Sequence, residues 1–102
     1  MSKIYDIETI RVLYAKRAVE VTQHFHERIK HADIANAIMN GEIIEQCLAD
    51  YPNPSVLILG QDRDDKPLHI AVGVDDDRLW MITSYYPTLD IWEADYRTRV
   101  IE

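Results

Sequence analysis

Residues 66–87, KPLHIAVGVDDDRLWMITSYYP, decide the fold. Two runs rich in β-branched and aromatic residues flank the acidic triplet Asp75-Asp76-Asp77, which is the sequence pattern of a β-hairpin. In the first run Leu68, Ile70 and Val72 alternate with His69 and Ala71. A pleated strand therefore sends the three aliphatics to one face and the imidazole to the other. In the second run Leu79, Met81, Thr83 and Tyr85 alternate with Trp80, Ile82, Ser84 and Tyr86, so both faces carry bulk and hydroxyls gather at the strand's end. A buried strand with a polar exit is predicted.

Immediately upstream, SVLILG from Ser55 is a short continuous apolar run closed by Gly60, read as a central strand covered on both faces. The loop QDRDDK joins it to the hairpin and has the charge density of a solvated turn. EIIEQC, from Glu42 to Cys47, is a further strand, with Cys47 as a small core residue. Pro52 and Pro54 mark an irregular connection after it. Earlier in the chain, Asp6 can cap an amphipathic helix, IETIRVLYAKR, in which Ile7, Ile10, Leu13 and Tyr14 recur at helical spacing. Val19-Glu20-Val21-Thr22 interrupts that pattern, and Thr22 is a plausible cap for a second helical region, QHFHERIKHADIANAIMNG. This region either runs unbroken or breaks near Ala32 and restarts with Asp33 as cap, and Gly41 stops it. Downstream of Pro87, TLDIWEADYRTRV has Leu89, Trp92 and Tyr96 at i, i+3 and i+7, with Thr88 as cap, and reads as a short terminal helix over the sheet edge. The expected fold class is α+β: two N-terminal helices packed on a three- or four-stranded antiparallel sheet, then a short C-terminal helix. Residues 1–102 form a single domain on this reading.

Composition narrows the function. Eleven Lys and Arg against 18 Asp and Glu give a formal net charge of -7, the wrong sign for holding nucleic acid by general electrostatics. The single cysteine cannot form an internal disulfide, no window approaches a membrane span, and the amino terminus lacks a signal-peptide core. A cytoplasmic location and no membrane association are expected. There is no GxGxxG, P-loop or GxSxG pattern, and no HExxH or second cysteine for zinc; Asp75 to Asp77 lack the spacing and glycine of a calcium loop. Neither cofactor nor metal is expected.

Four histidines, His24, His26, His31 and His69, are the remaining candidates for chemistry. An imidazole acts as acid or base near neutral pH, and a neighbouring arginine can hold a phosphate through two parallel hydrogen bonds. His24 and Arg28, one helical turn apart, fit that description, although from spacing alone an exposed polar helix face is the better reading. His69 is either a working imidazole or a hydrogen-bonded structural one. Tyr51, Tyr85 and Tyr86, with Trp80 and Trp92, either offer stacking surfaces for unpaired bases or belong to core and rim.

Taken together, TQHFHER, DIANAIMNGEIIEQ, YPNPSVLILG, KPLHIAVGVDDDRLWMITSYYP and IWEADYRTR resemble a family of small bacterial proteins of unknown function, similar to RelE- and BrnT-like toxins, often encoded beside a YgiT- or MqsA-type zinc-finger antitoxin. The resemblance implies a RelE-like fold with a ligand site on the sheet face opposite the helices. It carries His24, Arg28, His69, Thr83 and Tyr86 over as site residues. On the pattern of RNA-cleaving relatives, a metal-independent ribonuclease would let the ribose 2′-hydroxyl attack the adjacent phosphate. His69 and His24 would serve as base and acid, Arg28 would stabilise the phosphorane, and Thr83 or Tyr86 would position phosphate oxygens. The partners implied are a zinc-finger antitoxin protein, RNA or the ribosome, and a second copy in a homodimer. Against the family's pattern, RIKHADI is several residues shorter after the helical arginine, and EQCLADYP replaces a tyrosine-proline start to the loop. These departures leave a second expectation: a non-catalytic protein-interaction module that keeps the fold with a degraded active site.

Overall fold

A computed structural model describes residues 6–16, 19–21, 29–47, 54–74 and 78–100. The first helix, α1, spans Ile7–Ala15, and the Asp6 carboxylate accepts from the Thr9 amide at 2.8 Å, satisfying one of the helix's orphan donors as the sequence predicts. Its apolar face buries Ile10 and Leu13. Val19–Val21 is a short strand, β1, where the sequence signals only an interruption. The second helix, α2, covers His31–Asn40 and starts two residues before the expected Asp33 cap, with Lys30 at its N-cap and no side-chain cap bond. Asp33 instead sits in the first turn and takes up Arg63 across the loop, at 2.8 Å from its Nε and 3.1 Å from its amide.

Strands β2 (Glu42–Cys47), β3 (Ser55–Gln61), β4 (Pro67–Val74) and β5 (Leu79–Tyr85) form the expected antiparallel sheet. β1 adds a fifth strand, parallel to β5, in the order β1-β5-β4-β3-β2. Leu68, Ile70, Val72 and Val74 face the helices together with Val56 and Ile58, and all are buried against Ile10, Ile34 and Ile38. Ala37 brings α2 so near to β3 that a Cβ on Gly60 would lie 2.1 Å from the Ala37 carbonyl oxygen. Gly41 has φ -88°, so glycine there answers the same close approach and not a left-handed helix stop.

Two β-bulges change which side chains share a face. On β5 Thr83 pairs with Ala71 and Met81 with Val72, leaving Ile82 as an extra residue; Leu79 and Met81 face the helices, whereas Thr83 and Tyr85 face away. The strict alternation expected along this strand is broken there. On β2 Ile44 is the extra residue between Ile43 and Glu45, so Glu42 and Glu45 both face away from the helices. Cys47 is exposed at the end of this edge strand, a correction to its expected place in the core.

The expected C-terminal helix is replaced by a folded-back strap. Ile91 and Trp92 both donate to the Thr88 carbonyl, which makes one turn. The chain then reverses at Asp95, whose carboxylate accepts from the amides of Arg97 and Thr98 at 3.0 Å each, and Tyr96 takes φ 58°. Trp92 and Arg99 bridge across the reversal, and Val100 donates to Ile91. The Thr88 hydroxyl bonds the Asp90 carboxylate in place of a backbone amide, so the predicted cap is not made. Asp95 captures the amides that a second helical turn would need. None of the described helices is long and apolar enough to cross a membrane.

Candidate functional site

His69 lies at the centre of the sheet face away from the helices, because β4 is the middle strand and position 69 falls on the opposite phase from Leu68 and Ile70. The face is not open above it. His69 is 0% exposed, with the Trp92 ring edge-on at 4.4 Å and the Tyr85 ring at 5.2 Å. Its Nε2 lies 2.7 Å from the Tyr96 carbonyl oxygen and its Nδ1 lies 3.0 Å from the Tyr85 hydroxyl. A carbonyl can only accept, so Nε2 carries a hydrogen, and in the neutral ring Nδ1 accepts from the Tyr85 hydroxyl. Burial pushes the imidazole pKa down, against the smaller upward pulls of the Tyr96 carbonyl and Glu45.

Ion pairs also join the strap to the sheet. Arg99 makes a bidentate pair with Glu45, both contacts at 2.8 Å, and stacks 4.7 Å over the Trp92 ring. Arg97 pairs with Glu42. The Arg99 guanidinium holds the Glu45 carboxyl below its usual range. Beside this pair a cavity of about 330 Å³ is lined by Glu45, Cys47, Leu57, Ala71, Thr83 and Tyr85, among others. Thr83 is exposed on this side of the sheet.

Tyr86 belongs to a different place. It leaves the end of β5 and donates its hydroxyl to Asp62 Oδ2 at 2.7 Å, which pushes its pKa up to about 12. Asp62 is 3% exposed, and its other carboxylate oxygen accepts from the amides of Asp64 and Lys66 at 2.8 and 2.9 Å. These contacts hold its pKa below the ordinary aspartate value, the Lys66 amide first among them. Together they close the β3–β4 turn, which the sequence presents only as a solvated charged loop. A cavity of about 610 Å³ opens here, with Lys30, Arg63, Lys66 and Tyr86 in its wall alongside Asp33 and Asp64.

Of the residues singled out from the sequence, His69, Thr83 and Tyr86 are thus described but not gathered: one is buried under the strap, one lines the smaller cavity and one the larger. His24, His26 and Arg28 lie outside the described residues, as do Tyr51 and Asp75 to Asp77. Sequence reasoning missed Asp62, Glu42, Glu45, Arg97 and Arg99. An aspartate two residues before Asp64 and four before Lys66 is a signal for a side-chain-closed turn. The two glutamates, three apart on a strand, share a face only because of the Ile44 bulge, and nothing local announces it.

A family model described as "Domain of unknown function (DUF4258)" matches residues 21–86, well over half of the 102-residue chain. The chain belongs to the DUF4258 family. No curated protein matches it, and no solved structure does. The DUF4258 match takes in β2 to β5, His69, Asp62 and Tyr86, and ends before Trp92, Arg97 and Arg99. The strap that covers the sheet therefore lies outside the matched DUF4258 span.

Proposed function

We propose that the chain is a RelE-like protein-interaction module, a toxin-like component of a type II toxin-antitoxin pair that meets a zinc-finger antitoxin in the cytoplasm, with His69 as a structural pin. The supporting observation is the sealing of His69. A general base for 2′-hydroxyl attack must come within hydrogen-bond reach of that hydroxyl, and this imidazole is fully covered with both ring nitrogens engaged. A net charge of -7 also disfavours a polyanionic substrate. The test is induced expression together with incubation of the purified protein with RNA, with and without ribosomes. Unaffected growth and intact RNA are expected. Growth arrest with RNA cleavage, abolished in a stably folded His69→Gln variant, would overturn the reading.

A second reading, a metal-independent ribonuclease, is favoured by the larger cavity, where Lys30, Arg63 and Lys66 share a wall with the Tyr86 hydroxyl. Lysine and arginine there would stabilise the phosphorane charge while Tyr86 positions a phosphate oxygen. On that reading cleavage is present, Lys66→Ala and Tyr86→Phe abolish it, and His69→Gln leaves it unchanged.

A further inference from the structure

Resting on the interaction-module reading and naming its partner's chemistry, we propose that the sheet face under the strap is a docking groove for a basic, extended segment of the partner protein, carrying two cationic side chains two residues apart, and that Arg97 and Arg99 occupy its place in the free chain.

The strap acts as an internal ligand that reports what the face accepts. Glu42 and Glu45 are turned to the same side by the Ile44 bulge, and the strap meets them with arginines at positions 97 and 99. The Glu42 and Glu45 side chains remain 50% and 36% exposed, and those of Arg97 and Arg99 50% and 58%. Ion pairs this open to water hold little, since each long side chain gives up rotamer freedom for a screened attraction. Trp92, at 2% exposure, is the firm anchor of the strap, and the arginine end beyond it is the part that a competitor displaces.

Space for a competitor is present on both sides of the strap, with carboxylates in each wall. The cavity of about 330 Å³ has Glu45 beside Leu57, Ala71 and Thr83. On the other side a cavity of about 600 Å³ has Glu42 and Asp95 beside Leu59 and Tyr96. A segment lying across the sheet would place cations on these carboxylates and its short apolar groups on the leucines. The chain's charge of -7 draws a basic partner toward such a face and speeds encounter.

The test uses the full chain and a fluorescent alternating arginine-threonine decapeptide, read by anisotropy at physiological salt. Arg97→Ala/Arg99→Ala should bind the peptide at least tenfold more tightly than the parent, because the internal competitor is gone. Arg97→Lys/Arg99→Lys, which keeps both cations, should bind like the parent. Adding Glu42→Gln and Glu45→Gln to the alanine variant should weaken binding at least tenfold. Removing two carboxylates elsewhere, Glu8→Gln/Asp65→Asn, should leave binding within twofold of the parent. Equal affinity for the parent and the alanine variant, or an equal loss from the remote neutralisation, would overturn the groove. RNA cleavage is measured on the same preparations. Cleavage without groove binding would count against the module, whereas absent cleavage without groove binding would count against the groove alone.

Discussion

On one side of the sheet Leu68, Ile70, Val72 and Val74 pack under Ile10, Ile34, Ala37 and Ile38, a buried cluster built of aliphatic residues and Met81. On the other side a single tryptophan covers a single histidine, and two exposed ion pairs hold down the chain that carries them. The first side is closed by area removed from water, an effect that pH does not titrate and salt does not screen. The second is closed by one apolar anchor and a set of polar contacts, each sensitive to protonation or screening. One sheet thus carries a permanent seal and a conditional one, and the conditional side holds His69, Glu42 and Glu45.

Four measurements would break or sharpen that contrast. The largest effect is expected on the helix side. Gly60→Ala puts a methyl 2.1 Å from the Ala37 carbonyl oxygen, so α2 must lift from β3. A loss of roughly 3 kcal/mol in urea unfolding is expected from such overpacking. A stability near that of the parent would show that the helix side gives as readily as the strap side.

Next, Trp92→Ala should cost about 3 kcal/mol, at the low end for a buried large aromatic because the strap can peel away from the vacancy. The same variant should move the His69 titration, followed by imidazole NMR, upward toward the ordinary histidine value, since burial is the main cause of its depression. An unmoved titration would mean that Trp92 does not seal the imidazole.

The pH dependence separates the faces more finely. Because the folded-state pKa of His69 lies below its unfolded value of about 6.5, folding favours the neutral ring. Its contribution is complete above about pH 6.5 and is lost as the pH falls from there through the lower folded value. Asp33, Glu45, Asp62 and Asp95 are all depressed in the folded chain, so their contributions fade at lower pH, as it falls from the ordinary carboxylate range through their lower folded values. Urea midpoints should therefore fall between about pH 6.5 and 5. His69→Gln should flatten that slope, whereas Ile70→Ala should leave it intact while lowering every midpoint by the equivalent of about 2 to 4 kcal/mol. An unchanged slope in His69→Gln would assign the titration to another group.

The smallest effect belongs to the Arg99–Glu45 pair. A double-mutant cycle to alanine should yield a coupling of about 0.5 kcal/mol, vanishing in about 1 M salt. A coupling several times larger would make the strap a fixed part of the fold.

Much of this architecture was written locally. The alternation through Leu68, Ile70 and Val72, the apolar run SVLIL and the Asp6 cap each act over a few residues, and each specified its element. What escaped depends on partners far away in the chain. Val19–Val21 is a strand only because β5 leaves an edge for it, and three residues carry no period of their own. The bulge at Ile82 reverses the phase within one run, so Thr83 and Tyr85 end on the face opposite Leu79. In the strap, Leu89, Trp92 and Tyr96 have helical spacing, but Asp95 takes the backbone amides and the left-handed Tyr96 turns the chain. For the site, the sequence identified His69 and left open whether it works or holds. That choice turns on a covering segment some 25 residues onward, which no local pattern could reveal.

The bulge at Ile44 decides whether the strap face carries its second carboxylate. Side chains on a strand alternate like odd and even numbers, and one inserted residue exchanges the two classes for everything beyond it. Were Ile44 drawn into regular pairing opposite Leu57, Glu45 would oppose Val56 and turn toward the aliphatic interior, and the outer face would lose a carboxylate with no residue that touches the strap replaced. The charge of this face is thus governed by register as much as by composition.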